Sequence, residues 1–115
     1  MRDHTKLKAF QLADQLVLTI YRATRSFPKD EMFGLTSQLR RAAVSIASNI
    51  VEGCARHSEA DYLHFLEIAY GSAREAQYQL SLALRLGYLK PDSDVEAKAM
   101  KTAKTLSALI QHFRK

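Results

Sequence analysis

The two prolines of this chain stand at positions 28 and 91, and only four glycines join them as helix breakers in 115 residues. So little punctuation favours a few long elements over many short strands. The apolar residues repeat at helical spacing in four segments. In the first, Thr5 to Ser26, the positions Phe10, Ala13, Val17, Ile20 and Thr24 alternate steps of three and four, with Leu16 and Tyr21 beside them. Phe27-Pro28 stops that helix, because proline disfavours helical backbone in the residue before it. A connection from Pro28 to Gly34 follows, with one helical turn at its start.

The second helix is expected from Leu35 to Cys54, with Leu35, Leu39, Ala42, Ala43, Ile46 and Ile50 on its inner face and Gly53 as its terminator. Ser58 reads as the N-cap of the third helix, with Asp61 reaching back to it. That helix runs to about Leu86. Its inner face is Tyr62, Phe65, Ala69, Ala73, Ala76, Leu80 and Ala83, and Gly87 closes it. A second capping box, Ser93 to Glu96, opens the last helix, whose inner face is Val95, Ala99, Thr102, Leu106, Leu109 and Phe113. Its acids come early and its bases late, which complements the helix dipole. Short connections between long helices make neighbours antiparallel. The expectation is an all-α chain, residues 1–115 forming one antiparallel up-down-up-down four-helix bundle.

Composition narrows the function classes. A hydrophobic fraction of 47% and a charged fraction of 25% fit a globular domain. Cys54 stands alone, so there is no internal disulfide, and a reducing compartment is expected. No apolar run follows the opening Met-Arg-Asp-His-Thr-Lys, and none is long enough to span a bilayer. The reading is a cytoplasmic protein with no secretory leader and no membrane partner.

Catalytic and metal chemistry find little footing. A di-metal bundle site needs Glu-x-x-His on two helices, and only Asp61-x-x-His64 with Glu67 is present. His4, His57, His64 and His112 are scattered, and there is no glycine-rich phosphate loop. Cys54, near a helix C-terminus, is not placed for thiolate activation. The expectation is a non-enzyme without cofactor or metal.

The charge balance is more informative: 17 Lys and Arg against 12 Asp and Glu leave a net +5. That suits a polyanion, although it also suits plain solubility. Arg2, Lys6 and Lys8 gather at the start. Lys98, Lys101, Lys104, Arg114 and Lys115 gather along the last helix. First and last helices are neighbours in an up-down bundle, so both groups can share one basic surface. No aromatics are interleaved with them, so contacts to nucleic acid would be mainly to phosphates.

The second helix carries a polar stripe, Gln38, Arg41, Ser45, Ser48 and Glu52, beside small residues that include Ala42, Ala43, Ala47 and Asn49. The third helix answers with Ala69, Gly71, Ser72 and Ala73. An interior glycine costs about 1 kcal/mol against alanine, and close helix approach would offset it. Antiparallel pairing places Arg40 and Arg41 level with Gly71 and Ser72, so Glu75 is expected to pair with one arginine. The stripe is either a solvated face or the seam of an oligomer.

Several stretches form a familiar set: Ile20 to Thr24 with Phe27-Pro28, Gly34 to Ile46, Ser48 to Gly53, Phe65 to Glu75, and Leu86-Gly87-Tyr88. In order and separation they resemble the bacterial four-helix-bundle family of 23S rRNA-intervening sequence proteins. One departure is Val51, where the family pattern has alanine. The resemblance implies a four-helix bundle and a homo-oligomer, expected as a pentamer. It also implies nucleic-acid or protein–nucleic-acid binding, since relatives lie within intervening sequences of large ribosomal RNA or assist diversity-generating reverse transcriptases. Its motif residues are Gln38, Arg40, Arg41, Ser45, Asn49, Glu52, Gly53, Gly71, Ser72 and Glu75.

Taken together, the expected function is non-enzymatic binding of RNA or DNA by an oligomeric bundle. The surface would be Arg2, Lys6, Lys8, Lys98, Lys101 and Lys104, with Arg40 and Arg41 as the alternative site. Gln38, Ser45, Asn49, Glu52, Gly53, Gly71, Ser72 and Glu75 would serve packing or assembly. The rival is a protein-interaction or scaffolding module whose charge only keeps it in solution.

Overall fold

A computed structural model describes residues 1–114, and Lys115 lies outside the described residues. Four α-helices follow one another: α1 (Lys8–Ala23), α2 (Leu35–Cys54), α3 (Glu59–Arg85) and α4 (Val95–Phe113). Each packs on its sequence neighbour, and α4 closes on α1. The directions alternate. Gln38 bonds Gln79 and Ser45 bonds Ser72, so α2 and α3 run oppositely. Lys98 reaches Thr19 while Arg2 lies over Phe113, so α1 and α4 do too. Thr24 with Arg40, and Tyr62 with Phe113, show the same for the remaining pairs. The result is an antiparallel four-helix bundle, 43 Å long. No helix among the described residues is long and apolar enough to cross a membrane.

The core follows the 3.6-residue period, and it corrects the expected faces by a residue in places. On α1 the buried stripe is Ala9, Ala13, Leu16 and Ile20, while Phe10 and Val17 flank it. On α3 Leu66 is buried where Phe65 was expected. On α4 the stripe drifts to Ala103 and Ile110, with Leu109 and Phe113 at its edge. A straight helix slips against a seven-residue repeat, and these shifts are that slip.

Helix ends also differ from the sequence expectation. The regular part of α1 is shorter than Thr5–Ser26, with 3-10 turns at His4–Lys6 and Thr24–Ser26. Asp3 Oδ1 accepts from both Thr5 N and Thr5 Oγ1, which winds the first turn tightly, and extended Leu7 separates it from α1. Ser58 does cap α3, accepting from Asp61 N at 3.1 Å. Ser93 is not the N-cap of α4. Asp94 takes that position without a side-chain cap bond, and its carboxylate lies 3.3 Å from Lys98 Nζ. Gly87, at φ 82°, ends α3: its amide donates to Leu84 O and that of Tyr88 to Ala83 O, a Schellman pair.

Gly53 does not terminate α2, which continues through Cys54. It lies buried against α3, where a Cβ would stand 2.9 Å from Phe65 Cβ. Gly71 is the reverse. It is exposed, and a Cβ there would meet nothing within 4 Å. Close approach within the bundle therefore accounts for Gly53 and not for Gly71.

Candidate nucleic-acid interface

The basic residues of α1 and α4 fall into two groups by what they already touch. Arg2 is engaged. Its amide donates to Cys54 O at 2.7 Å, its guanidinium lies 3.8 Å from the Tyr62 ring centroid, and Glu59 is 4.0 Å away. Lys98 is engaged too, with Asp94 and with Thr19 Oγ1 at 3.4 Å. Arg114 pairs with Glu67. Lys6, Lys8, Lys101 and Lys104 are exposed, with no ion pair among the described residues. Because α1 and α4 are antiparallel, Lys98 lies toward the C-terminal end of α1 and Arg2 at the opposite end of the bundle. The four unpaired lysines are distributed between these ends.

The second constellation surrounds Arg40 and Arg41. Arg40 Nε donates to Thr24 Oγ1 at 2.9 Å, and its guanidinium lies 4.7 Å from the Tyr21 ring centroid. Thr24 Oγ1 in turn donates to Ile20 O at 2.8 Å, which fixes the acceptor in place. Tyr21, expected beside the core, is on the surface and carries this arginine. Arg41 is exposed. The register differs from the expected one: Ser45, not Arg41, faces Ser72, with their hydroxyl oxygens 2.9 Å apart. Gly53 meets Tyr62 and Phe65 rather than the first residues of α3, so the opening turn of α3 overhangs the end of α2.

Glu75 forms no ion pair with Arg40 or Arg41, contrary to expectation, because Arg40 turns away toward α1. Arg41 and Glu75 nonetheless line one cleft of 690 Å³, together with Tyr21, Phe33 and Arg40. Ser45, which also lines the cleft, is held by Asn49, whose Nδ2 donates to Ser45 O at 2.8 Å and to Ser45 Oγ at 3.0 Å. Deeper between α2 and α3, Gln79 Nε2 donates to Gln38 Oε1 at 3.3 Å. Glu52 lies 3.8 Å from Arg56, away from this cleft. Of the aromatic members, sequence reasoning expected Tyr21 beside the core and missed Phe33. A ring in a short connection has no periodic partner to announce it.

The remaining chemistry is quiet. Cys54 is buried, and its thiol is pushed up mainly by burial, with Arg2 pulling the other way. Among the described residues no group of three His, Cys, Asp or Glu side chains could hold a metal ion.

A family model described as 23S rRNA-intervening sequence protein matches residues 5–114. The chain belongs to that family. It is an all-α member with the four-helix-bundle fold. Among solved structures it is similar to a protein of unknown function from the S23 ribosomal protein family of Bacteroides thetaiotaomicron. The identity is 24%, the TM-score 0.81, and the match covers 90% of this chain and 95% of that one. That likeness concerns the fold. Comparison with curated protein sequences gives no match.

Proposed function

We propose that this family member is a homo-oligomeric, cytoplasmic helical protein, with a pentamer as the expected assembly, that binds RNA or DNA mainly through phosphate contacts. The observation that carries the reading is the set of exposed, unpaired lysines Lys6, Lys8, Lys101 and Lys104 in a chain of net +5. Membership in a family named for intervening sequences of 23S rRNA supports it. An unpaired lysine has no ion pair to break when it meets a phosphate, and the released counterions supply the driving force. Assembly multiplies a modest charge into an avid surface.

The test is fluorescence anisotropy of a labelled structured RNA, titrated across salt concentrations. Wild type should bind, with log affinity falling linearly against log salt. Alanine at the four lysines should flatten that slope. Absence of binding at low salt would remove the reading. The rival reading is a protein-interaction or scaffolding module whose net +5 charge serves only solubility. It requires a protein partner and no salt-dependent nucleic-acid binding.

A further inference from the structure

Phe33 is 93% exposed, at the end of the Pro28–Gly34 connection. A ring left in water forgoes the stabilisation that burial would supply. The neighbouring groups match one kind of ligand. Tyr21 presents a second ring, already stacked with Arg40, and Arg41 is exposed on the same cleft with no ion pair among the described residues. Glu75, on the α3 side, is also without an ion pair among the described residues.

We propose that this cleft binds a nucleotide of a single-stranded nucleic acid, its base stacked on Phe33 and its phosphate on Arg41. The inference rests on the nucleic-acid reading above and adds the strand type and the site. Stacking on an aromatic ring needs an open base face, which a duplex keeps covered. Phe33 offers that ring beside a cation, the pairing absent from the lysines of α1 and α4. Glu75 sets the orientation. Its carboxylate repels phosphate, so the backbone lies toward Arg41, and it accepts from an exocyclic amino group of the base. Cytosine has such a group and uracil does not. The cleft therefore favours cytosine over uracil.

The experiment uses the full chain with fluorescein-labelled oligo-C and oligo-U 12-mers and a fully paired hairpin, read by anisotropy. Oligo-C should bind more tightly than oligo-U, and more tightly than the hairpin. Phe33→Ala should weaken oligo-C about tenfold with little change in salt slope, because stacking releases few counterions. Arg41→Ala should lower the slope by about one. Glu75→Gln should narrow the preference for C over U. Oligo-C affinity unchanged in both Phe33→Ala and Arg41→Ala would overturn the site while leaving the broader function standing. Equal affinity for hairpin and oligo-C would overturn the strand preference. No binding of any probe by wild type would remove the broader function and this site with it. Sedimentation of Phe33→Ala guards the assignment: a smaller assembly than wild type would place Phe33 in a subunit contact and overturn the cleft.

Discussion

The guanidinium of Arg2 stands 3.8 Å over the ring of Tyr62, and the Arg2 amide donates to Cys54 O at the end of α2. Phe113 of α4 lies 5.4 Å away on the same cation. One residue near the start of the chain thus joins the ends of α2 and α4 to the first turn of α3. A residue that reads in sequence as part of a basic tail is here half-buried at the bundle's end.

Arg2→Ala should therefore cost stability. The cation–ring contact contributes about 1 kcal/mol at a partly exposed site. Urea denaturation should show a lower midpoint with an unchanged slope. A midpoint equal to wild type would mean that the backbone bond to Cys54 alone holds the segment.

The two helical glycines should respond oppositely to alanine. Gly53→Ala puts a methyl 2.9 Å from Phe65 Cβ and 3.3 Å from Tyr62 O. Overpacking of this kind costs about 1–3 kcal/mol. Gly71→Ala meets nothing and gains helix propensity, worth roughly 0.5–1 kcal/mol. Thermal melts of the two variants decide it. Should Gly71→Ala raise the melting temperature but weaken self-association, Gly71 lies in a subunit contact.

Alkaline pH should loosen the closure of α3. Tyr88 Oη donates to Glu31 Oε2 at 2.9 Å, and that bond raises the Tyr88 pKa above its ordinary 10.0. The protonated phenol is the form the fold favours. Its contribution is complete below pH 10 and is lost as pH rises through the raised value. Tyr62, raised chiefly by burial, adds in the same direction. Melts at pH 8 and pH 11 should differ less for Tyr88→Phe than for wild type. Equal losses would assign the alkaline effect elsewhere.

Cys54 should be inert in the folded protein. It is 1% exposed, and burial disfavours its thiolate. A chromogenic disulfide reagent should label it only as fast as the bundle opens, and at once in denaturant. Labelling within seconds in native buffer would contradict the burial.

The helices themselves were legible because helix formation and burial are read from a local period. Every apolar position expected on α2, from Leu35 to Ile50, is buried. The Gly87 terminator and the Ser58 cap lie where their residue types placed them, since each answers an orphan backbone group a few residues away. Of the cleft, Arg40, Arg41 and Glu75 were visible as polar positions on α2 and α3.

Only the tertiary structure decided what those positions face. The α2–α3 register, with Ser45 on Ser72, depends on how far α3 overhangs α2, which no local pattern records. Arg40 turned to Thr24 and Tyr21, sixteen and nineteen residues away, instead of to Glu75. Phe33 reached the same cleft only through the path of the connection between α1 and α2. The period of a helix is set by bonds within one turn. The company an exposed side chain keeps is set by the packing of helices distant in sequence.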